Sequence, residues 1–164
     1  MIEEIILKGI IDEDFVNYRV PSMTLMFPKC SFKCEKEYGE KFCQNSSLIK
    51  EPNITVSLES IYNRYINNPI TEAIVLQGLE PFDSYRELNA LLLYFRQEKE
   101  CYDDIVIYTG YYHNEILGYI NHFKSSFSNI IVKFGRYIPN QKPHYDEVLG
   151  VYLASDNQIA KRVS

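Results

Sequence analysis

Three cysteines, Cys30, Cys34 and Cys43, fall in one short stretch of the chain, and their type and spacing carry the clearest chemistry in it. A thiolate is a soft ligand suited to zinc, copper(I) or an iron–sulfur cluster. A structural zinc site takes four ligands and usually pairs cysteines two residues apart. Here the pattern is Cys30-x3-Cys34-x8-Cys43, and the remaining candidates, Cys101, His113, His122 and His144, lie far along the chain. A [4Fe–4S] cluster normally takes four cysteines, so three leave one iron open to a substrate or cofactor. Spacing alone leaves open such a cluster, a zinc knot closed by a distant histidine, and plain thiols. A thioredoxin-like pair is disfavoured, because no Cys-x-x-Cys occurs.

Something must hold that loop in place. Ser22 to Phe27 reads as a strand ended by Pro28, and the cysteine loop, residues 28–50, follows directly. Upstream, Ile5 to Ile11 reads as one strand, with Asp12-Glu13-Asp14 as a polar break. Downstream, Leu58, Ile61, Tyr62, Tyr65 and Ile66 give helical spacing behind Ser57 as N-cap. Glu72 to Leu76 is a strand, and Asp83 caps a helix that runs to about Lys99. Asp104 to Tyr108, a helix from Asn114 to about Lys124, and Asn129 to Phe134 repeat the alternation. Leu149 to Ala154 reads as a last strand before a polar tail.

This alternation implies parallel strands joined by right-handed crossovers. There are too few units for a closed eight-stranded barrel of about 250 residues. An α/β fold follows, either an open partial (β/α) barrel or a doubly wound sheet. In both, ligands collect at the carboxyl ends of the strands. The cysteine loop, Gly78-Leu79-Glu80-Pro81 and Thr109-Gly110 each follow a strand, so they share one rim.

The 164 residues fit one domain, 1–164. A net charge of −5 with no basic run argues against nucleic acid. The acidic start has no basic n-region, and no apolar run approaches the roughly 20 residues of a membrane helix. The expectation is a soluble cytoplasmic protein without membrane contact, where clustered cysteines serve as ligands more often than as disulfides.

The motifs, taken in order, resemble the radical S-adenosylmethionine family, and within it the small anaerobic ribonucleotide reductase activating proteins with a 4Fe-4S single-cluster domain. Cys30, Cys34 and Phe42-Cys43 resemble the family's Cys-x3-Cys-x2-Cys loop with its aromatic before the last cysteine. Gly78-Leu79-Glu80-Pro81 resembles Gly-Gly-Glu-Pro, and Tyr108-Thr109-Gly110-Tyr111 resembles Tyr-Thr-Gly-Tyr. Gly135-Arg136-Tyr137-Ile138 and Ala154-Ser155-Asp156-Asn157-Gln158 are similar to the family's Gly-Arg-Phe-Ile and terminal Gly-Ser-x-Asn-Gln stretches.

The resemblance implies a partial barrel and a [4Fe–4S] cluster on Cys30, Cys34 and Cys43. It implies cleavage of S-adenosylmethionine to a 5′-deoxyadenosyl radical, with an external electron donor. The substrate it implies is a glycine of a large glycyl radical enzyme such as anaerobic ribonucleoside-triphosphate reductase. A radical enzyme acting on a peptide or small molecule, and a non-catalytic zinc or iron–sulfur module, are the alternatives. Cofactor binding is implied for Phe42, Gly78, Leu79, Glu80, Pro81, Thr109 and Asn157. Lys133, a lone charge in an apolar strand, has two readings, a reach to the cofactor carboxylate or an escape to solvent, and the expectation is that it snorkels.

The chain departs from the pattern at three places. Eight residues separate the last two cysteines in place of two, Leu79 stands at the second glycine of Gly-Gly-Glu-Pro, and Phe134 replaces an aspartate before Gly135.

Overall fold

The computed structural model describes residues 2–30 and 46–164. Its strands are β1 (Glu4–Leu7), β2 (Gly9–Asp14), β3 (Ser22–Phe27), β4 (Ile54–Ser57), β5 (Ala73–Gly78), β6 (Ile105–Tyr108), β7 (Ile130–Phe134), β8 (His144–Asp146), β9 (Val151–Leu153) and β10 (Ile159–Arg162). Its α-helices are α1 (Leu58–Ile66), α2 (Tyr85–Leu93) and α3 (Leu117–Ser126). The main sheet has the order β2-β3-β5-β6-β7-β10. Its four inner strands are parallel, while β2 and β10 pair antiparallel at the two edges. The parallel strands succeed one another in chain order without the reversal that defines a doubly wound sheet.

Both faces of the sheet are buried, which explains its apolar runs. Leu25, Ile74, Leu76, Ile107 and Val132 face a core shared with Ile61 of α1, Leu88 and Leu91 of α2, and Phe123 of α3. Val75, Val106 and Ile131 face the other side, against Tyr18, Leu149, Leu153 and Ala160. Removing each large side chain from water contributes about 1.5–3 kcal/mol. Helix α1 begins where the sequence puts it, with the Ser57 hydroxyl accepting from Ser60 N–H at 3.0 Å.

Four expectations need correction. The run Ile5 to Ile11 is two strands: β1 pairs with β4 in a separate ribbon, and β2 pairs with β3. Residues 12–14 do not break the strand but complete β2, because Asp14 turns inward and accepts from Thr24 (2.5 Å), Asn17 (2.6 Å) and Val16 N–H (2.9 Å). Burial pushes its carboxyl up, but those donors together hold it below the usual carboxylate range. Asp83 caps no α-helix, since Pro81 opens a 3-10 turn, Pro81–Ser84, capped by Glu80, and α2 starts after Ser84. The stretch read as a last strand narrows to β9, which forms a hairpin with β8, and β10 follows it along β7.

At the amino ends of β6 and β7, the buried Arg96 donates to the carbonyls of Cys101 (2.5 Å), Asp103 (2.7 Å), Ser128 (2.8 Å) and Asn129 (3.1 Å). This pins two connecting loops with one guanidinium and leaves the opposite end of the sheet for chemistry. Among the described residues no helix is long and apolar enough to cross a membrane.

Candidate functional site

A cavity of about 340 Å³ opens at the carboxyl ends of the parallel strands. Cys30 lines it from the segment after β3, Gly78, Leu79 and Glu80 from the end of β5, Thr109 and Gly110 from the end of β6, and Lys133 and Gly135 from β7 and its end. Val16 and Asn17, before β3, and the hairpin strand β9 complete the wall. Of the residues singled out from the sequence, Cys30, Gly78, Leu79, Glu80 and Thr109 meet around this one space. Cys34, Phe42 and Cys43 lie outside the described residues. Pro81 is not part of the lining; it starts the turn that aims Glu80 inward.

Gly78 sets the approach of two strand ends. It pairs with Phe27 in the parallel ladder and has φ +94°, and a Cβ there would stand 2.7 Å from both Met26 Cα and Phe27 N. That closeness belongs to Gly78 rather than to the next position, where Leu79 needs only its N–H, which donates to Phe27 O at 3.2 Å.

Glu80 is 4% exposed. Its carboxylate accepts from Gly110 N–H (2.8 Å) and Phe82 N–H (3.1 Å), with the Thr109 hydroxyl 2.8 and 3.0 Å from its two oxygens. Burial pushes the carboxyl up to about 7, against the pull of those donors. Helix-start capping and cavity lining therefore coincide in this residue. The folded state holds the Glu80 proton more tightly than the unfolded chain, whose ordinary value is 4.5. The contribution to stability is thus full below that value and is lost as pH rises through about 7. Melting wild type and Glu80→Gln without ligand across this window should show wild type losing on the order of 2–3 kcal/mol relative to the variant. A pH-independent difference between the two refutes the assignment.

Lys133 does not snorkel. It is 6% exposed, donates to Gly135 O at 3.1 Å and lies 5.7 Å from the centre of the Tyr108 ring, its neighbour across the β6–β7 ladder. The Tyr108 hydroxyl in turn donates to Asn17 O at 2.6 Å, and burial raises its pKa.

Asn157 lies outside the cavity lining. Its amide donates to Arg136 O (2.6 Å) and Tyr112 Oη (2.8 Å), and its oxygen accepts from Ser155 (2.6 Å), so it fastens the segment after β7 to the one before β10. Its neighbour Gln158 does line the cavity and accepts from Ala154 N–H at 3.0 Å. Phe134, in place of the aspartate, is buried edge-on to His113. Val16, Asn17 and Tyr152 also line the cavity, and no motif in the sequence marks them.

Residues 18–152 match the family model described as a 4Fe-4S single cluster domain. No curated protein matches the chain.

Proposed function

The chain belongs to the family of 4Fe-4S single cluster domains, and from that premise we propose that it is a radical S-adenosylmethionine enzyme built on an open partial (β/α) barrel. Its proposed task is to generate a glycyl radical on a partner such as anaerobic ribonucleoside-triphosphate reductase. The observation that carries this reading is that Cys30 shares one cavity with Gly78, Leu79, Glu80 and Thr109 at the carboxyl ends of parallel strands.

The donors fit a cluster. Cys30, which carries a soft sulfur, is among the residues that line the cavity. Among the described residues no other group of three or more Cys, His, Asp or Glu side chains gathers to compete for a metal. Cys30, Cys34 and Cys43 are the ligands the sequence offers. When bound, the cluster supplies the single electron that cleaves a C–S bond of S-adenosylmethionine. The chain does the positioning. The backbone of Gly78 and Leu79 would offer carbonyl acceptors to the cofactor's ammonium, and the buried ammonium of Lys133 would attract its carboxylate; the resemblance assigns Phe42 to the adenine.

The cavity volume sits at the small end of ligand pockets, about 300–1,000 Å³. It takes a cofactor without also enclosing a large substrate, so the substrate approaches from outside, past the exposed Val16 and Tyr152. A protein partner suits that geometry.

Anaerobic reconstitution with iron and sulfide, followed by dithionite and S-adenosylmethionine, should yield 5′-deoxyadenosine and methionine in equal amounts. A cluster-loaded chain that forms neither is a non-catalytic iron–sulfur module.

A further inference from the structure

One residue joins three of the four strand ends around the cavity. The N–H of Glu80 donates to Lys29 O at 2.7 Å, the carbonyl immediately before Cys30. Its carboxylate receives Gly110 N–H and the Thr109 hydroxyl from the end of β6, and Phe82 N–H from its own turn. The fourth strand end is attached to the third, as Thr109 N–H donates to Lys133 O at 2.9 Å and Gly135 N–H to Tyr111 O at 3.1 Å. A carboxylate has roughly four lone-pair sites, and these internal donors take most of them. Glu80 therefore has little acceptor capacity left for a ligand, although it lines the cavity. Its carboxylate is also buried, so breaking one of these bonds would leave a donor without an acceptor away from water, and such bonds hold geometry.

We infer that Glu80 is a positioning residue for the cysteine site: it holds the backbone before Cys30 against the ends of β5 and β6, and so fixes where that thiolate stands. This rests on Cys30 being a cluster ligand. It assigns Glu80 a different task from the cofactor contact that the Gly-Gly-Glu-Pro resemblance implies. The two roles separate at Thr109. A Thr109→Val chain keeps the carboxylate but removes the hydroxyl that steadies it, with almost no change of side-chain shape. If Glu80 positions, Thr109→Val and Glu80→Ala disturb the cluster in the same sense. If Glu80 only binds cofactor, the cluster without cofactor is indifferent to both.

The test uses wild type, Glu80→Ala, Glu80→Gln and Thr109→Val, loaded anaerobically with iron and sulfide, with no S-adenosylmethionine present. Two quantities are read: the paramagnetic resonance spectrum of the reduced cluster, and amide hydrogen exchange at position 80 before loading. Positioning predicts a shifted spectrum in Glu80→Ala and, more weakly, in Thr109→Val. Glu80→Gln, which keeps an acceptor for Gly110, stays nearest wild type. It also predicts exchange at position 80 faster by about tenfold or more in Glu80→Ala, because the bond to Lys29 O loosens. Should Glu80→Ala fold poorly, Thr109→Val carries the same test. Loaded variants with wild-type spectra and unchanged exchange would overturn this inference alone, whereas a wild-type chain that takes up no iron would overturn the cluster reading with it.

Discussion

Cys30→Ala chains, reconstituted anaerobically with iron and sulfide, are expected to hold less than about one iron per chain where wild type holds about four. The expectation follows from ligand number. A [4Fe–4S] cluster with three protein thiolates already lacks one of its usual four, and removing another leaves two cysteines to hold a cluster that no other gathered donor group among the described residues replaces. The backbone around Cys30 stays in place, since the bond from Glu80 N–H to Lys29 O does not involve the side chain. The loss is therefore one of chemistry rather than of fold, and the circular dichroism of the variant should match wild type. Cys101→Ala is the internal control. Cys101 precedes β6 at the amino end of the sheet, where its carbonyl accepts from Arg96, and it is not part of the cavity lining. Burial raises its thiol pKa, which makes it a poor ligand as well as a distant one. Equal iron loss from Cys30→Ala and Cys101→Ala, or full iron in Cys30→Ala, would sink the assignment.

What the sequence reveals about this fold follows how local each feature is. The bounds of β3 can be read directly, because a six-residue run ends at Pro28, and α1 can be read from Ser57 and the helical spacing behind it. The end of β5 cannot. Its apolar run stops at Leu76, yet the strand continues because Gln77 and Gly78 pair with Met26 and Phe27. Strand β10 has the sequence Ile159-Ala160-Lys161-Arg162, which carries little strand signal, and its pairing with β7 creates it. The same division runs through the site. The strand-end motifs can be read because each sits beside its own strand. The partners of Glu80 cannot be, since Thr109 and Gly110 come from another strand end. Lys133 is misjudged for a similar reason: a lone charge in an apolar run suggests an escape to solvent, whereas Tyr108 on the adjacent strand and Gly135 O hold it inside.

Gly78→Ala should lower the melting temperature by roughly 6–12 °C, taking a cost of about 3 kcal/mol and about 2–4 °C per kcal/mol for a chain of this size. Two penalties combine. A non-glycine residue held at φ +94° is strained by about 1–3 kcal/mol. The added Cβ also meets backbone, Met26 Cα and Phe27 N at 2.7 Å and Met26 C at 2.9 Å, and backbone inside a parallel ladder cannot step aside as a flexible side chain does. Relief requires β5 to part from β3 at its last rung. The bonds just beyond that rung, Leu79 N–H to Phe27 O and Glu80 N–H to Lys29 O, then lengthen or break. Stability and iron uptake should therefore fall together in this variant, a coupling that Cys30→Ala lacks. Gly118→Ala calibrates the measurement. It lies in α3 with nothing within 4 Å of its added Cβ, so the substitution should be neutral or stabilise by about 0.5–1 kcal/mol. If Gly78→Ala melts with wild type and loads iron normally, the two strand ends are not held at the distance described, and the geometry that brings Cys30 to the cavity has to be redrawn.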